Sequence, residues 1–71
     1  MGATVISNLE KLSNSETVVG LTVGEVRRRF HDALNIPDNA RATINGAAVD
    51  EDEVVDNGDE LIFSRPLGSK G

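Results

Sequence analysis

One segment of this chain has the spacing of an amphipathic helix, and it limits the possible folds more than any other feature. Thr22 followed three residues later by Glu25 fits a capping box, in which each side chain accepts a hydrogen bond from the backbone N–H of the other residue. The apolar face that follows consists of Val23, Val26, Phe30, Ala33 and Leu34. Pro37 disfavours helical geometry in the residue before it, so the sequence predicts a helix over about residues 23–35.

Short segments typical of strands flank the helix on both sides. Before it, the sequence predicts a strand at residues 3–8, a polar turn up to Ser15 and a second strand at residues 16–21. After it, the predicted strands lie at residues 40–44, 47–49 and 60–64. Two Asn-Gly pairs, at 45–46 and 57–58, predict tight turns because both residue types tolerate positive φ.

The order of these segments predicts the fold class. Two strands, one helix and three strands indicate an α+β protein of the ubiquitin-like β-grasp type, with a mixed sheet of four to five strands and the helix packed on one face. Another small α+β sheet with a single helix is the alternative. Phe30 and Ile62 are expected to be buried between helix and sheet, and Val54 and Val55 to close the edge of the core. Residues 1–65 are expected to form the domain, followed by a flexible tail at 66–71.

Composition excludes several classes of protein. The chain has 71 residues and no cysteine, which excludes a disulfide framework, a thiol nucleophile and a cysteine-based zinc site. Its short apolar runs predict no membrane span, and its first residues do not resemble a signal peptide. A net charge of −5 argues against nucleic-acid binding. We therefore expect a cytoplasmic protein that needs no cofactor and binds neither membrane nor nucleic acid.

The chain offers few candidates for catalysis or metal binding. His31, the one histidine, has no partner residue at a fixed spacing. The acidic run 50–53, together with Asp56 and Asp59, does not match the EF-hand pattern and predicts a solvated loop. The three arginines at 27–29 suggest either aliphatic stems lying over apolar surface or a docking patch for an acidic partner. No serine has a companion base, so no enzymatic activity is expected.

Two turn motifs occur in the second half of the chain, each in a fixed position relative to a strand. Ile44-Asn45-Gly46 ends one strand, Asn57-Gly58-Asp59-Glu60 leads into Leu61-Ile62-Phe63, and Pro66-Leu67 leads into the tail. In this order the motifs resemble the MoaD/ThiS-type small sulfur carriers of molybdopterin and thiamine biosynthesis. The resemblance covers roughly residues 3–67 and implies a β-grasp fold. It also implies a protein partner, such as an adenylating enzyme or a larger complex.

The last residues decide between two hypotheses about function. Carriers of this family present a C-terminal Gly-Gly whose carboxylate is adenylated, whereas this chain ends in Gly68-Ser69-Lys70-Gly71. The preferred hypothesis is a non-enzymatic protein-interaction module, and the alternative is a sulfur carrier or protein modifier activated at the Gly71 carboxylate. An accessory domain that functions only within a larger complex, and a sheet edge that pairs with a partner strand, are further candidates. The predicted binding residues are Arg41, Leu61, Phe63, Arg65, Leu67 and Gly71.

Overall fold

Five strands and one helix make up the fold, as seen in a computed structural model that describes residues 2–7, 10–37 and 39–64. In chain order the elements are β1 (Ala3–Ser7), β2 (Glu10–Ser15), α1 (Val23–Phe30), β3 (Arg41–Ile44), β4 (Ala47–Ala48) and β5 (Glu60–Ser64). The strands form one sheet in the order β2-β1-β5-β3-β4. The central strands β1 and β5 are parallel, and the other neighbours are antiparallel. The predicted α+β class, with one helix and a mixed five-stranded sheet, is confirmed.

The core lies between α1 and one face of the sheet. Because side chains alternate along a strand, Val5, Leu61 and Phe63 share this face, and all are at most 1% exposed. Val23 and Val26 of α1 pack in the same cluster. The connecting segments contribute further buried residues, namely Val18, Leu34, Ile36, Ala40 and Val55. Burying one large aliphatic or aromatic side chain contributes about 1.5–3 kcal/mol, so a few such residues account for most of the stability of a small domain.

Three residues predicted to be buried are more exposed than expected. Phe30 is the last residue of α1 and is half-buried at the rim of the core. Ile62 is half-buried on the opposite sheet face, since its two neighbours in β5 point toward the helix. Val55 closes the core edge as predicted, whereas Val54 is 47% exposed. The prediction of burial is therefore wrong for Ile62 and Val54 and only partly right for Phe30.

The second strand lies earlier in the chain than predicted. β2 covers Glu10–Ser15, where a turn was expected, and residues 16–20 are bends and turns. Among the described strands β2 pairs with β1 alone, so it is an edge strand on which polar side chains are favourable. The apolar residues that follow β2 lie in a turn and still contribute to the core, where Val18 is fully buried. The Gly20 N–H of this turn donates to the Val55 carbonyl at 2.8 Å.

The helix begins where predicted and ends five residues earlier. The Thr22 Oγ1 accepts the Glu25 N–H at 3.2 Å, and the Glu25 Oε1 accepts the Thr22 N–H at 2.9 Å, which confirms the capping box. Beyond Phe30 the chain continues as turns over residues 31–35. The Leu34 N–H still donates to the Phe30 carbonyl at 2.8 Å, so Leu34 enters the core from outside the helix.

The predicted acidic loop lies against the start of α1. The Val23 N–H donates to the Glu53 carbonyl at 2.8 Å, and the Gly24 N–H donates to the Glu51 carbonyl at 3.0 Å. The first N–H groups of a helix lack partners within the helix, and these two find them in the loop. The loop therefore helps to cap α1 through its backbone, while its carboxylates remain at the surface.

Candidate functional site

The two Asn-Gly turns meet at one end of the sheet. Asn45 (φ 53°) and Gly46 (φ 88°) form the predicted tight turn between β3 and β4. The Asn45 Nδ2 donates to the Asp59 Oδ1 at 3.1 Å, and its Oδ1 accepts the Glu60 N–H at 3.0 Å. The Asp59 Oδ2 in turn accepts the Asp56 N–H at 2.9 Å. These hydrogen bonds therefore join the turn after β3 to the start of β5. A structural role accounts for the presence of the motif residues at these positions.

The sheet face opposite the helix carries a row of aligned side chains. Thr4, Ile6, Thr43 and Ile62 alternate with core residues and are half-buried. In the strand register Ile62 lies beside Ile6 on one side and beside Thr43 on the other. Neighbouring strands are about 4.8 Å apart, so this row spans roughly 10 Å. Within the described ranges, α1 and the buried connecting residues all pack on the other face.

Two exposed cations flank this row. Lys11 on β2 pairs with Ile6, and Arg41 on β3 pairs with Ser64, two positions along from the row. Three strand spacings and two residue rises place the Lys11 and Arg41 backbones roughly 16 Å apart. We call the surface formed by Thr4, Ile6, Lys11, Arg41, Thr43 and Ile62 the outer face.

The predicted binding residues that the structure describes occupy two different environments. Arg41 is exposed on the outer face. Leu61 and Phe63 are 0% and 1% exposed, so their placement on a binding surface is wrong. They belong to the core because the strand alternation turns them, and not Ile62, toward α1. The remaining predicted residues lie outside the described part of the chain, namely Arg65, Leu67 and Gly71, and so does the predicted tail.

Sequence reasoning missed five of the six residues of the outer face, namely Thr4, Ile6, Lys11, Thr43 and Ile62. The alternation within β1 and β3 places Ile6 and Thr43 on the side away from α1, which is a signal present in the sequence. Lys11 could not be found in this way, because its segment was predicted to be a turn.

One of the three consecutive arginines has a structural role. The Arg27 side chain is 14% exposed, and its Nη1 donates to the Ala40 carbonyl at 3.0 Å. Its guanidinium lies 5.2 Å from the centroid of the Phe63 ring, and its Nε lies 3.2 Å from a Glu51 carboxylate oxygen. Arg27 therefore covers the core as an amphipathic side chain. The two arginines that follow are exposed.

An open cleft of about 310 Å³ lies beside the end of α1, lined by Arg27, Arg28, His31 and Asp32. The His31 Nδ1 is 3.1 Å from the Asp32 Oδ1, and both side chains are exposed. This carboxylate places a negative charge among the cations of the cleft. Within the described residues, no group of three or more His, Asp or Glu side chains is arranged to hold a metal ion.

The helix cap changes the pKa of one of its own residues. The pKa of Glu25 lies below its ordinary value of 4.5, chiefly because the charged carboxylate accepts the backbone N–H of Thr22. The side-chain hydrogen bond with Thr22 and the nearby arginine charges act in the same direction, while partial desolvation opposes them. This carboxylate therefore acts as part of the cap.

Comparisons with known proteins do not assign a family or a function to the chain. No protein-family model, no curated protein and no solved structure matches the chain. In the part of the chain that the structure describes, no helix has the length and apolar character needed to cross a bilayer.

Proposed function

We propose that the protein is a non-enzymatic, ubiquitin-like interaction module that binds a protein partner through its outer face. One observation carries this proposal: Ile6, Ile62 and Thr43 form an aligned, half-exposed row between two exposed cations. The central strands bury their opposite face in the core, so a partner can reach this row without unfolding the protein. A small apolar centre with a charged rim is a common composition for protein-binding surfaces.

The charges of the outer face indicate the chemistry of the partner. Lys11 and Arg41 favour a partner with apolar groups at its centre and carboxylates toward both ends, roughly 16 Å apart. The acidic turn 56–59 and the exposed Glu60 at the start of β5 lie at the end of the sheet away from Arg41. They repel the same carboxylates, so the distribution of charge favours one orientation of the partner.

Site-specific photo-crosslinking tests this proposal. A photoreactive amino acid is placed at Thr43 on the outer face and, as the control, at the exposed Ala33 beyond α1. In cells of the source organism, we expect a crosslinked protein from position 43 that is absent from position 33. An exposed ion pair with the partner contributes about 0.2–1 kcal/mol to binding, so Arg41→Glu should weaken the crosslink. Arg28→Glu should leave it unchanged, because Arg28 lies on α1 and not on the outer face.

The results also separate the module from the alternative carrier. Equal crosslinking from both positions, or a crosslink that Arg41→Glu leaves unchanged, would contradict binding through the outer face. If the captured partner is an adenylating enzyme, the protein is then incubated with it, ATP and a sulfur donor. Replacement of oxygen by sulfur at Gly71, read from the intact mass, would favour the carrier over the module.

A further inference from the structure

The two Asn-Gly pairs of the described chain differ in how their reacting groups are held. In such a pair the backbone nitrogen of glycine can attack the side-chain carbonyl carbon of asparagine, because glycine has no side chain to hinder the approach. This reaction needs two things at once, a carboxamide that is free to turn and an amide N–H that can be released. The structure holds a different one of these groups in each pair.

At Asn45–Gly46 the carboxamide is held. Its nitrogen donates to the carboxylate of Asp59 at 3.1 Å, and its oxygen accepts the Glu60 N–H at 3.0 Å. Both bonds must break before the carbonyl carbon can turn toward Gly46. The bond to Asp59 is the stronger kind, because its acceptor is charged.

At Asn57–Gly58 the carboxamide is not held. Asn57 is exposed, and within the described residues its side chain makes no hydrogen bond. The Gly58 N–H is engaged, since it donates to the Gly2 carbonyl at 2.9 Å. One neutral hydrogen bond therefore opposes the reaction here, whereas Asn45 is held by one neutral bond and one to a carboxylate.

We propose that Asn57 is a site of spontaneous deamidation and that the fold protects Asn45 from the same reaction. The Gly58 nitrogen loses its proton and forms a bond to Cγ of Asn57, and the side-chain amide leaves as ammonia to give a cyclic imide. Water then opens the imide at either carbonyl, yielding aspartate or isoaspartate at position 57. The reaction needs no enzyme or oxidant. It adds a negative charge between Asp56 and Asp59.

The hydrogen bonds set the expected order of rates. One neutral bond slows the reaction roughly two- to tenfold relative to the unfolded chain, and a bond to a carboxylate slows it by about tenfold or more. Asn45 carries both kinds and Asn57 one neutral bond, so Asn57 should react at least about tenfold faster than Asn45 in the folded protein. Unfolding removes all of these bonds and should bring the two rates close together.

The test is to incubate the whole protein at mildly alkaline pH and physiological temperature. Intact-mass measurement follows the replacement of NH₂ by OH, and peptide mapping assigns it to position 45 or 57. A parallel sample in concentrated urea supplies the unfolded rates. In the Asn57→Gln variant the five-membered imide cannot form at position 57, so its mass change reports on Asn45 as the remaining Asn-Gly pair.

The expected result is conversion at Asn57 with little at Asn45, and similar conversion at both positions in urea. Three results would each overturn the proposal. They are an Asn45 rate equal to or above that of Asn57 in the folded protein, a difference that persists in urea, and no conversion at Asn57 while the unfolded chain reacts.

Discussion

The hydrogen bonds of Asn45 connect two turns that are distant in sequence, and a substitution there measures how much the connection contributes to stability. Asn45→Gly keeps the backbone conformation at φ 53° accessible while removing the side-chain bonds to Asp59 and Glu60. A bond to a carboxylate contributes roughly 1.5–3 kcal/mol and a neutral one about 1 kcal/mol. Because these bonds are exposed, the lower values apply, and Asn45→Gly should reduce the free energy of unfolding by ~2 kcal/mol.

Asn45→Ala should lose more, because alanine carries a Cβ into the left-handed region. That conformation costs about 1 kcal/mol or more, for a total of ~3 kcal/mol. Urea unfolding followed by far-ultraviolet circular dichroism is the assay, since the chain has neither tryptophan nor tyrosine. Asn57→Ala is the matched control, because Asn57 is exposed, lacks a positive φ and should change stability by less than about 0.5 kcal/mol. If Asn45→Gly proves as stable as this control, the hydrogen bonds do not stabilise the fold and the reasoning is wrong.

Three further tests address the core, the arginine contacts and the cap. Phe63→Ala should lower the free energy of unfolding by about 3–5 kcal/mol, and Ile62→Ala on the outer face should lower it clearly less. Equal losses of stability in urea unfolding would refute the assignment of these two residues to opposite faces of the sheet. Arg27→Lys should cost about 1–2 kcal/mol, because lysine cannot both reach the carbonyl and cover the ring, whereas Arg28→Lys should be neutral in the same assay. The pKa of Glu25 is lowered by folding, so its charge stabilises the fold above pH 4.5 and this contribution is lost as the pH falls through the lowered value. The stability difference between the parent and Glu25→Gln, measured in urea across this pH range, should therefore be largest above pH 4.5 and shrink below it; a difference that does not change with pH would contradict this assignment.

The helix start and the two Asn-Gly turns were predictable because they depend on neighbouring residues. Thr22 and Glu25 cap each other, and Asn45-Gly46 adopts its turn through its own backbone preferences. The end of α1 was not predictable in the same way. Leu34 fits the helical spacing and is buried, yet it reaches the core from a turn held by tertiary packing.

The second strand and the two faces of β5 depend on contacts between distant segments. Glu10–Ser15 is polar and becomes a strand because β1 offers it an edge, and no local preference reports that pairing. In β5 three apolar residues follow one another, so alternation alone does not tell which of Leu61 and Ile62 faces inward. The position of α1 decides it, and that is why the predicted binding surface fell on core residues.

The parallel pairing of β1 with β5 places the beginning and the end of the described chain side by side at the centre of the sheet. During synthesis on the ribosome, β1 emerges first and has no central neighbour until residues 60–64 have left the exit tunnel. The early hairpin of β1 and β2 is only marginally stable by itself, since a two-stranded sheet cannot bury enough apolar surface. Cooperative folding should therefore begin late, after nearly the whole domain has been translated, and a nascent chain that ends before Leu61 should remain accessible to chaperones and proteases.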